Sequence, residues 1–148
     1  EERAKGAPAL ITDVNVRLPA HLTASGRAML SALPKAQLRA LFPDRGAFVH
    51  RGDTAAALPE TEVIDRYSRL RSVLDATATR GFAVEHGSVT PGFSSVAVPV
   101  LDHRGWPVAA IAVTFRDDEV SEDRLAPLAA EVRGAATTLS SRIHGRAK

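Results

Sequence analysis

The sequence Ser94-Ser-Val-Ala-Val-Pro-Val-Leu-Asp-His-Arg-Gly-Trp-Pro-Val-Ala-Ala-Ile-Ala-Val-Thr-Phe115 alternates large and small side chains on both sides of a polar turn. Such alternation is typical of β-strands, whose successive side chains point to opposite faces. It predicts strands over Ser94–Asp102 and Pro107–Phe115. Because the connection between them is short, the two strands are predicted to form an antiparallel hairpin.

Each strand of this hairpin has one bulky face and one small face. The bulky face holds the valines of the first strand with Ile111, Val113 and Phe115 of the second, and it is predicted to pack on the long helices. The small face includes Ser95, Ala112 and Thr114. It either lets another element pack closely or leaves room for a ligand. The hydroxyl groups on this face favour a ligand, since a tight apolar contact disfavours unpaired hydroxyls.

Helical periodicity and capping signals predict the remaining elements. The predicted helices are Thr23–Leu33, Pro34–Leu41, residues 60–80 and residues 121–143, and the predicted further strands are residues 9–18 and Phe82–His86. Gly81 is predicted to end the third helix. The buried face of the last helix is predicted to hold Leu125, Leu128, Val132, Ala135, Leu139 and Ile143.

Composition limits the class of protein. The 148 residues fit one domain and can bury a sizeable core. The absence of cysteine excludes disulfides, thiolate metal sites and cysteine nucleophiles. A net charge of +2, without a concentrated basic stripe, argues against direct nucleic-acid binding by these residues. No apolar run has the length of a membrane span, and the first residues lack the apolar core of a signal peptide. We therefore expect a cytoplasmic protein with no membrane partner.

No pattern in the chain predicts catalysis or metal binding. The five histidines are not spaced as metal-ligand pairs, and there is no nucleophile elbow, Walker loop or dinucleotide fingerprint. His86 and His103, at predicted strand ends, are interpreted as surface residues. Glu85 could act as a base, but the sequence shows no partner for it. We expect no enzymatic activity, no catalytic residue, no metal and no cofactor.

The segment Thr23-Ala-Ser-Gly26 opens the first predicted helix with hydroxyl-bearing and small side chains. Free N–H groups at a helix N-terminus, together with the helix dipole, attract a carboxylate or phosphate. Most helix starts bind only their own capping side chain, which here is Thr23 or Ser25. The segment is therefore either an ordinary cap or an anion site.

Six strings in a fixed order carry a family resemblance. They are Arg17-Leu-Pro-Ala-His21 leading into Gly26-Arg-Ala-Met-Leu30; Arg80-Gly-Phe-Ala-Val-Glu85; Pro91-Gly-Phe-Ser-Ser-Val-Ala-Val-Pro-Val100; Asp102-His-Arg-Gly105; Val108-Ala-Ala-Ile-Ala-Val113; and the closing helix. Over roughly Leu10 to Arg142 the chain resembles the C-terminal effector-binding domain of IclR-type bacterial transcriptional regulators. The resemblance implies a GAF-like α+β fold, with helices packed on an antiparallel sheet.

The resemblance implies a ligand sensor. Proteins of this family join the domain to a winged helix-turn-helix, form homodimers or tetramers, and change operator binding when a small organic or aromatic acid occupies the domain. They also carry strands before the position of Leu10. The chain is therefore expected to be a single effector-binding domain that lacks its first strands and the DNA-binding domain, so that DNA is contacted only through the missing part.

The resemblance also carries the family's effector-binding positions onto this chain. These positions are Leu10 and Leu18 as apolar walls, and Ala24, Ser25, Glu85, Phe93, Ser95, Ala112 and Thr114. Ala24 and Ser25 correspond to the helix-start residues of the family, whose N–H groups hold a ligand carboxylate. Relatives commonly have aspartate in place of Glu85, a smaller aliphatic residue in place of Phe93, and a hydroxyl in place of Ala112. No particular effector is therefore carried over.

Two other functions remain open from the sequence. A pure assembly module with a degenerate pocket is compatible with the departures at Phe93 and Ala112. A GAF-like enzyme, such as a redox reductase, is disfavoured by the absence of cysteine.

Overall fold

The computed structural model describes residues 16–49 and 62–143, where it holds four α-helices and a three-stranded antiparallel sheet. The helices are α1 (Ala24–Ser31), α2 (Lys35–Leu41), α3 (Tyr67–Arg80) and α4 (Leu125–Ile143). The strands are β1 (Ala83–His86), β2 (Phe93–Leu101) and β3 (Pro107–Arg116), and short 3₁₀ turns lie at Arg45–Ala47 and Glu122–Arg124. The α+β class is confirmed. The strand predicted over residues 9–18 lies outside the described residues, except that residues 16–18 are not in a strand.

Two antiparallel pairings build the sheet in the order β1-β2-β3. The predicted hairpin of β2 and β3 is thereby confirmed. Strand pairing aligns two rows of residues across the sheet, Glu85–Ser95–Thr114 and Ala83–Ala97–Ala112. The hairpin turn is fixed by Asp102, whose Oδ1 accepts hydrogen bonds from the backbone N–H groups of Arg104 at 2.8 Å and Trp106 at 2.9 Å.

The bulky face of the sheet packs on α4, as its alternation predicts, except that Val113 is exposed. Val96, Val98 and Val100 of β2 form the core of this layer with the helix. The buried residues of α4 are Leu125, Ala129, Val132 and Ala136, whereas Ala135, Leu139 and Ile143 are exposed and Leu128 is half-buried. The predicted face is therefore wrong at Ala135, Leu139 and Ile143, whereas Leu128 packs against the core as predicted. Both the buried and the exposed side of α4 hold alanine as well as larger apolar residues, so residue type alone does not identify the side that packs on the sheet.

The small face of the sheet is covered in part by α1. Ala24 and Ala28 of the helix form a buried cluster with Ala83 and Ala97 of the sheet. Small residues on this face thus permit close packing, which is one of the two interpretations that the sequence leaves open. The row Glu85–Ser95–Thr114 lies beside this cluster on the same face.

A second core lies against the other side of α1 and includes α2 and α3. Its buried members are Leu30, Leu38, Phe42, Phe48, Ile64, Leu70 and Leu74. Helix α3 begins at Tyr67, later than predicted, because Ile64 enters this core from an irregular segment rather than from a helical turn. Gly81 ends α3 in the left-handed conformation, with φ at 81°, as predicted. None of the helices in residues 16–49 and 62–143 is long and apolar enough to cross a membrane.

Gly26→Ala is expected to destabilise the chain, whereas Gly134→Ala is expected to stabilise it. A Cβ on Gly26 would lie 2.1 Å from the carbonyl oxygen of Ala20, so the helix or the preceding turn would have to move. A Cβ on Gly134, in the middle of α4, meets no atom within 4 Å.

In urea unfolding, Gly26→Ala should lower the free energy of unfolding by at least about 2 kcal/mol. Gly134→Ala should raise it by up to about 1 kcal/mol, because alanine is the better helix former. Equal effects of the two substitutions would contradict the tight contact at Gly26.

Candidate functional site

Of the two candidate hydroxyls, Thr23 is the one that caps α1. Its Oγ1 accepts a hydrogen bond from the Gly26 N–H at 2.9 Å, and Ser25 lies in the first helical turn. The first bond of the helix runs from the Arg27 N–H to the Thr23 carbonyl oxygen at 2.9 Å. The N–H groups of Ala24 and Ser25 therefore have no partner within the helix. The helix start leaves two donors for an acceptor outside it.

Arg27, on the inner face of α1, is a buried cation with 2% of its surface exposed. Its Nε donates to the carbonyl oxygen of His21 at 2.9 Å, and its Nη1 donates to the carbonyl oxygen of Val84 at 2.8 Å. Nη1 also forms a salt bridge with Glu62 Oε2 at 3.1 Å, and Nη2 donates to Ser88 Oγ at 3.3 Å. The guanidinium thus connects α1 to the turn before it, to β1, to the loop after β1 and to the segment before α3.

Glu85, on β1, is a buried carboxyl group whose two oxygens have different partners. Oε1 accepts a hydrogen bond from Ser95 Oγ at 3.0 Å, and Oε2 accepts one from the Ser88 N–H at 2.9 Å. Burial raises the pKa of Glu85 from 4.5 to about 7. The two hydrogen bonds and the nearby charge of Arg27 lower this pKa, but they do not cancel the effect of burial. Glu85 therefore changes charge near neutral pH and has the partners that the sequence did not reveal.

Ser95 and Thr114 continue the row from Glu85 across the sheet. Ser95 Oγ lies 3.0 Å from Thr114 Oγ1. Because Ser95 donates its only hydroxyl hydrogen to Glu85, Thr114 is the donor between the two hydroxyls when Glu85 is ionised. Ser95 is buried and Thr114 is exposed. The three polar groups therefore lead from the interior to the surface of β3.

The structure brings five of the predicted site residues onto one face of the sheet. They are Glu85, Phe93, Ser95, Ala112 and Thr114. Phe93 is half-buried at the start of β2, and Ala112 is exposed. Leu18 is half-buried in the segment before α1, and Leu10 lies outside the described residues.

Sequence reasoning missed Arg27, Ser88 and Glu62 as parts of this polar cluster. A usable signal existed for Arg27, which lies among the buried residues of α1 beside Ala24 and Ala28. A charged residue on the apolar stripe of a helix indicates a buried ion pair. Ser88 and Glu62 lie in irregular segments, where no periodicity reports burial.

A second polar row lies on the opposite face of the sheet. His86 Nδ1 lies 2.8 Å from Ser94 Oγ, and the Ser94 hydroxyl donates to Asp117 Oδ1. His86 is therefore half-buried and hydrogen-bonded, unlike the surface residue that we predicted, whereas His103 is exposed. Within the two described ranges, no group of three His, Asp or Glu side chains is arranged to hold a metal ion.

The known proteins that this chain resembles are transcriptional regulators. Residues 4–141 match the family model described as bacterial transcriptional regulator IclR C-terminal. The glycerol operon regulatory protein of Streptomyces coelicolor is 31% identical over 132 residues, which cover 88% of this chain and 48% of that protein. The chain thus spans about half the length of the curated relatives it matches.

Solved structures agree with this match. The repressor BlcR of Agobacterium tumefaciens has a TM-score of 0.77 and 29% identity, over 90% of this chain and 51% of that one. A double mutant of the PobR inducer-binding domain from Acinetobacter, in complex with 3-hydroxybenzoic acid, has a TM-score of 0.76 at 21% identity, over 95% of this chain and 75% of that one. The second likeness concerns the fold alone.

Arg27→Met is expected to destabilise the chain by about 3–5 kcal/mol. Methionine fills much of the same space, but it leaves the Glu62 carboxylate without its cation and two buried carbonyl oxygens without this donor. The control is Arg71→Met, which removes an ion pair with Asp75 at 2.9 Å on the surface of α3. This control should cost less than about 0.5 kcal/mol. Chemical unfolding measures both, and similar stabilities would contradict the structural role of the buried guanidinium.

The folded chain is expected to lose stability as the pH rises from 4.5 to about 7. Over this range the folded state keeps a proton on Glu85 that the unfolded state releases, so a rise in pH favours unfolding. Below this range both states are protonated and above it both are ionised, so the contribution is constant there. The loss amounts to at most about 3 kcal/mol.

Glu85→Gln is the matched control for this pH dependence, because its side chain stays neutral. Urea unfolding at a series of pH values should show a fall in the free energy of unfolding for the wild type that the variant lacks. Parallel profiles for the two proteins would show that the pKa of Glu85 is not raised.

Proposed function

The chain belongs to the IclR family of bacterial transcriptional regulators, as a C-terminal domain, and we propose that it binds a small carboxylic or aromatic acid to modulate DNA binding by the full-length regulator. As a member of this family it is not an enzyme. The observation that carries the proposal is the polar row Glu85–Ser95–Thr114. This row lies on a sheet face of small residues beside α1.

In this proposal the acid group of the effector binds the N-terminus of α1. The N–H groups of Ala24 and Ser25 supply two donors, and the helix dipole adds to the attraction. The polar row then binds hydroxyl or carbonyl groups of the effector, while Phe93 and Leu18 pack against its body.

The PobR domain supports the choice of ligand class. It shares the fold, and its crystal structure is a complex with 3-hydroxybenzoic acid. A ring that carries both a carboxylate and a hydroxyl has one group for the helix start and one for the polar row. We therefore take aromatic hydroxy acids as the first compounds to test.

Regulation requires that the effector binds two arrangements of the subunits with different affinity. We propose that the chain forms a homodimer or a tetramer for this purpose. The DNA is then contacted through a domain outside the 148 residues, and the protein acts in the bacterial cytoplasm without a membrane partner.

One observation favours a second function, assembly without an effector. Ala24 and Ala28 pack on Ala83 and Ala97, which fills part of the small face. Ala112 adds no polar group to the part of this face that the alanines leave uncovered. Under this alternative the domain joins subunits and its polar row has only a structural role.

A thermal-shift screen of small carboxylates and aromatic acids separates the two functions. A ligand at a hundredfold excess over its Kd stabilises the folded state by about 2.7 kcal/mol. This stabilisation raises Tm by several degrees. Ser95→Ala should reduce or abolish the shift, because it interrupts the polar row.

Ser94→Ala is the matched control, since it removes the adjacent hydroxyl on the opposite face of the sheet, and it should keep the shift. No shift with any compound would favour the assembly module. A shift that both serine variants lose equally would contradict a site on the face of Ser95.

A further inference from the structure

Each hydrogen bond of the row Glu85–Ser95–Thr114 has a donor and an acceptor, and which group donates determines what Thr114 can offer a ligand. We propose that the charge on Glu85 sets the direction of a relay through Ser95, so that Thr114 offers a ligand an acceptor in one state and a donor in the other. Thr114 is then the residue that selects the effector groups that bind beside it. The inference rests on the proposed function, since it concerns the same site.

In the ionised state every hydrogen of the relay points toward Glu85. Its Oε1 accepts from Ser95 Oγ at 3.0 Å, which uses the only hydrogen of that hydroxyl. The Ser95 oxygen, 3.0 Å from Thr114 Oγ1, then accepts the hydrogen of Thr114. Thr114 keeps only lone pairs for a ligand, so it can accept a hydrogen bond from a hydroxyl or an N–H group.

In the neutral state the backbone decides where the proton lies. The Ser88 N–H, 2.9 Å from Glu85 Oε2, can only donate, so Oε2 remains an acceptor and the proton lies on Oε1. From there the carboxyl group donates to Ser95 Oγ, whose own hydrogen turns to Thr114 Oγ1. The hydrogen of Thr114 is thereby released for a carbonyl, ether or carboxylate oxygen of the ligand.

Among the residues that the structure describes, two charged groups act on Glu85. Arg27 faces it from α1 and Glu62 from the segment before α3, and these two are joined in a salt bridge of 3.1 Å. β2 carries no charged residue, and the one charged residue of β3, Arg116, pairs with Asp118 at 3.0 Å. Since burial raises the pKa of Glu85 to about 7, both directions of the relay are populated near neutral pH.

Two further titratable side chains near β1 have other partners. Arg80 of α3 donates to the carbonyl oxygen of Phe82 at 3.2 Å, and His86 bonds Ser94 on the opposite face at 2.8 Å. The direction of the relay therefore depends on the charge of Glu85, which is influenced by the nearby ion pair of Arg27 and Glu62.

The two states differ in the ligands that they accept. A group that can only accept hydrogen bonds is matched by Thr114 only when Glu85 is neutral. A ligand hydroxyl is matched in both states, because the Thr114 oxygen always retains a lone pair. The preference for a hydroxyl over an ether at this position should therefore increase as Glu85 ionises.

NMR titration of the Glu85 carboxyl carbon in the ligand-free chain tests the relay without an effector. Ser95→Ala removes a donor to the charged form and should raise the pKa of Glu85 by about one unit. Thr114→Val should raise it by a smaller amount, because Ser95 loses its own donor. Ser94→Ala is the matched control and should leave the pKa unchanged. An unchanged pKa in both relay variants overturns the proposal.

Ligand selection is tested with 3-hydroxybenzoate and 3-methoxybenzoate. The first has a hydroxyl hydrogen that it can donate to Thr114, the second has a methyl group in its place, and both keep their charge between about pH 5.5 and 8.5. Calorimetry should give a ratio of hydroxy to methoxy affinity that rises about tenfold over this range. In Glu85→Gln the ratio should be constant, because the amide nitrogen donates to Ser95 and keeps the relay in its neutral direction. A constant ratio in the wild type overturns selection by Thr114.

The two measurements separate this inference from the proposed function. If neither benzoate binds, effector binding fails for aromatic acids and ligand selection fails with it, whereas the titration of Glu85 still decides the relay. If both bind and the ratio follows pH in the same way in Thr114→Val as in the wild type, the chain has an effector site, and Thr114 does not select its ligand.

Discussion

The burial of the Arg27 guanidinium is the constraint on which the rest of the structure depends. A cation removed from water costs several kcal/mol unless it is paired and hydrogen-bonded. Here that requirement is met only when the carbonyl oxygens of His21 and Val84, the Ser88 hydroxyl and the Glu62 carboxylate are all in place. These groups come from four separate parts of the chain. The position of α1 on the sheet, and with it the orientation of the helix start, follows from this arrangement.

The two faces of the sheet have different roles. On one face, β2 supplies valines to a core with α4, where apolar burial stabilises the fold. On the other face, the alanines of α1 and the sheet bring the backbones close together. Beside them, the carboxyl group of Glu85 is buried with two hydrogen-bond donors and no salt bridge of its own within the described residues. Its raised pKa is the physical result of this placement.

Prediction from sequence was accurate where one local pattern reports the environment. Alternation defined β2 and β3, Thr23 marked the start of α1, and Gly81 marked the end of α3. Prediction was wrong where burial depends on a neighbouring element. The start of α3 was placed too early because the apolar residues just before Tyr67, such as Ile64, pack on the core from an irregular segment rather than from a helical turn. The face of α4 was misjudged because two neighbouring helical stripes share Leu125 and Val132, and only the contact with the sheet decides that Ala129 and Ala136 complete the buried one.

The sequence by itself determined the antiparallel hairpin and its two unlike faces, since these follow from local backbone geometry and from side-chain alternation. Together with the family resemblance it also indicated Glu85, Ser95 and Thr114, which one row of strand pairing brings together. Only the tertiary structure decided that Arg27 is buried, that Ser88 and Glu62 join it, and that Glu85 titrates near neutral pH. Arg27 and Ser88 are 61 residues apart in the chain, and Ser88 and Glu62 are 26 residues apart. No local pattern encodes which distant groups share a low-dielectric interior.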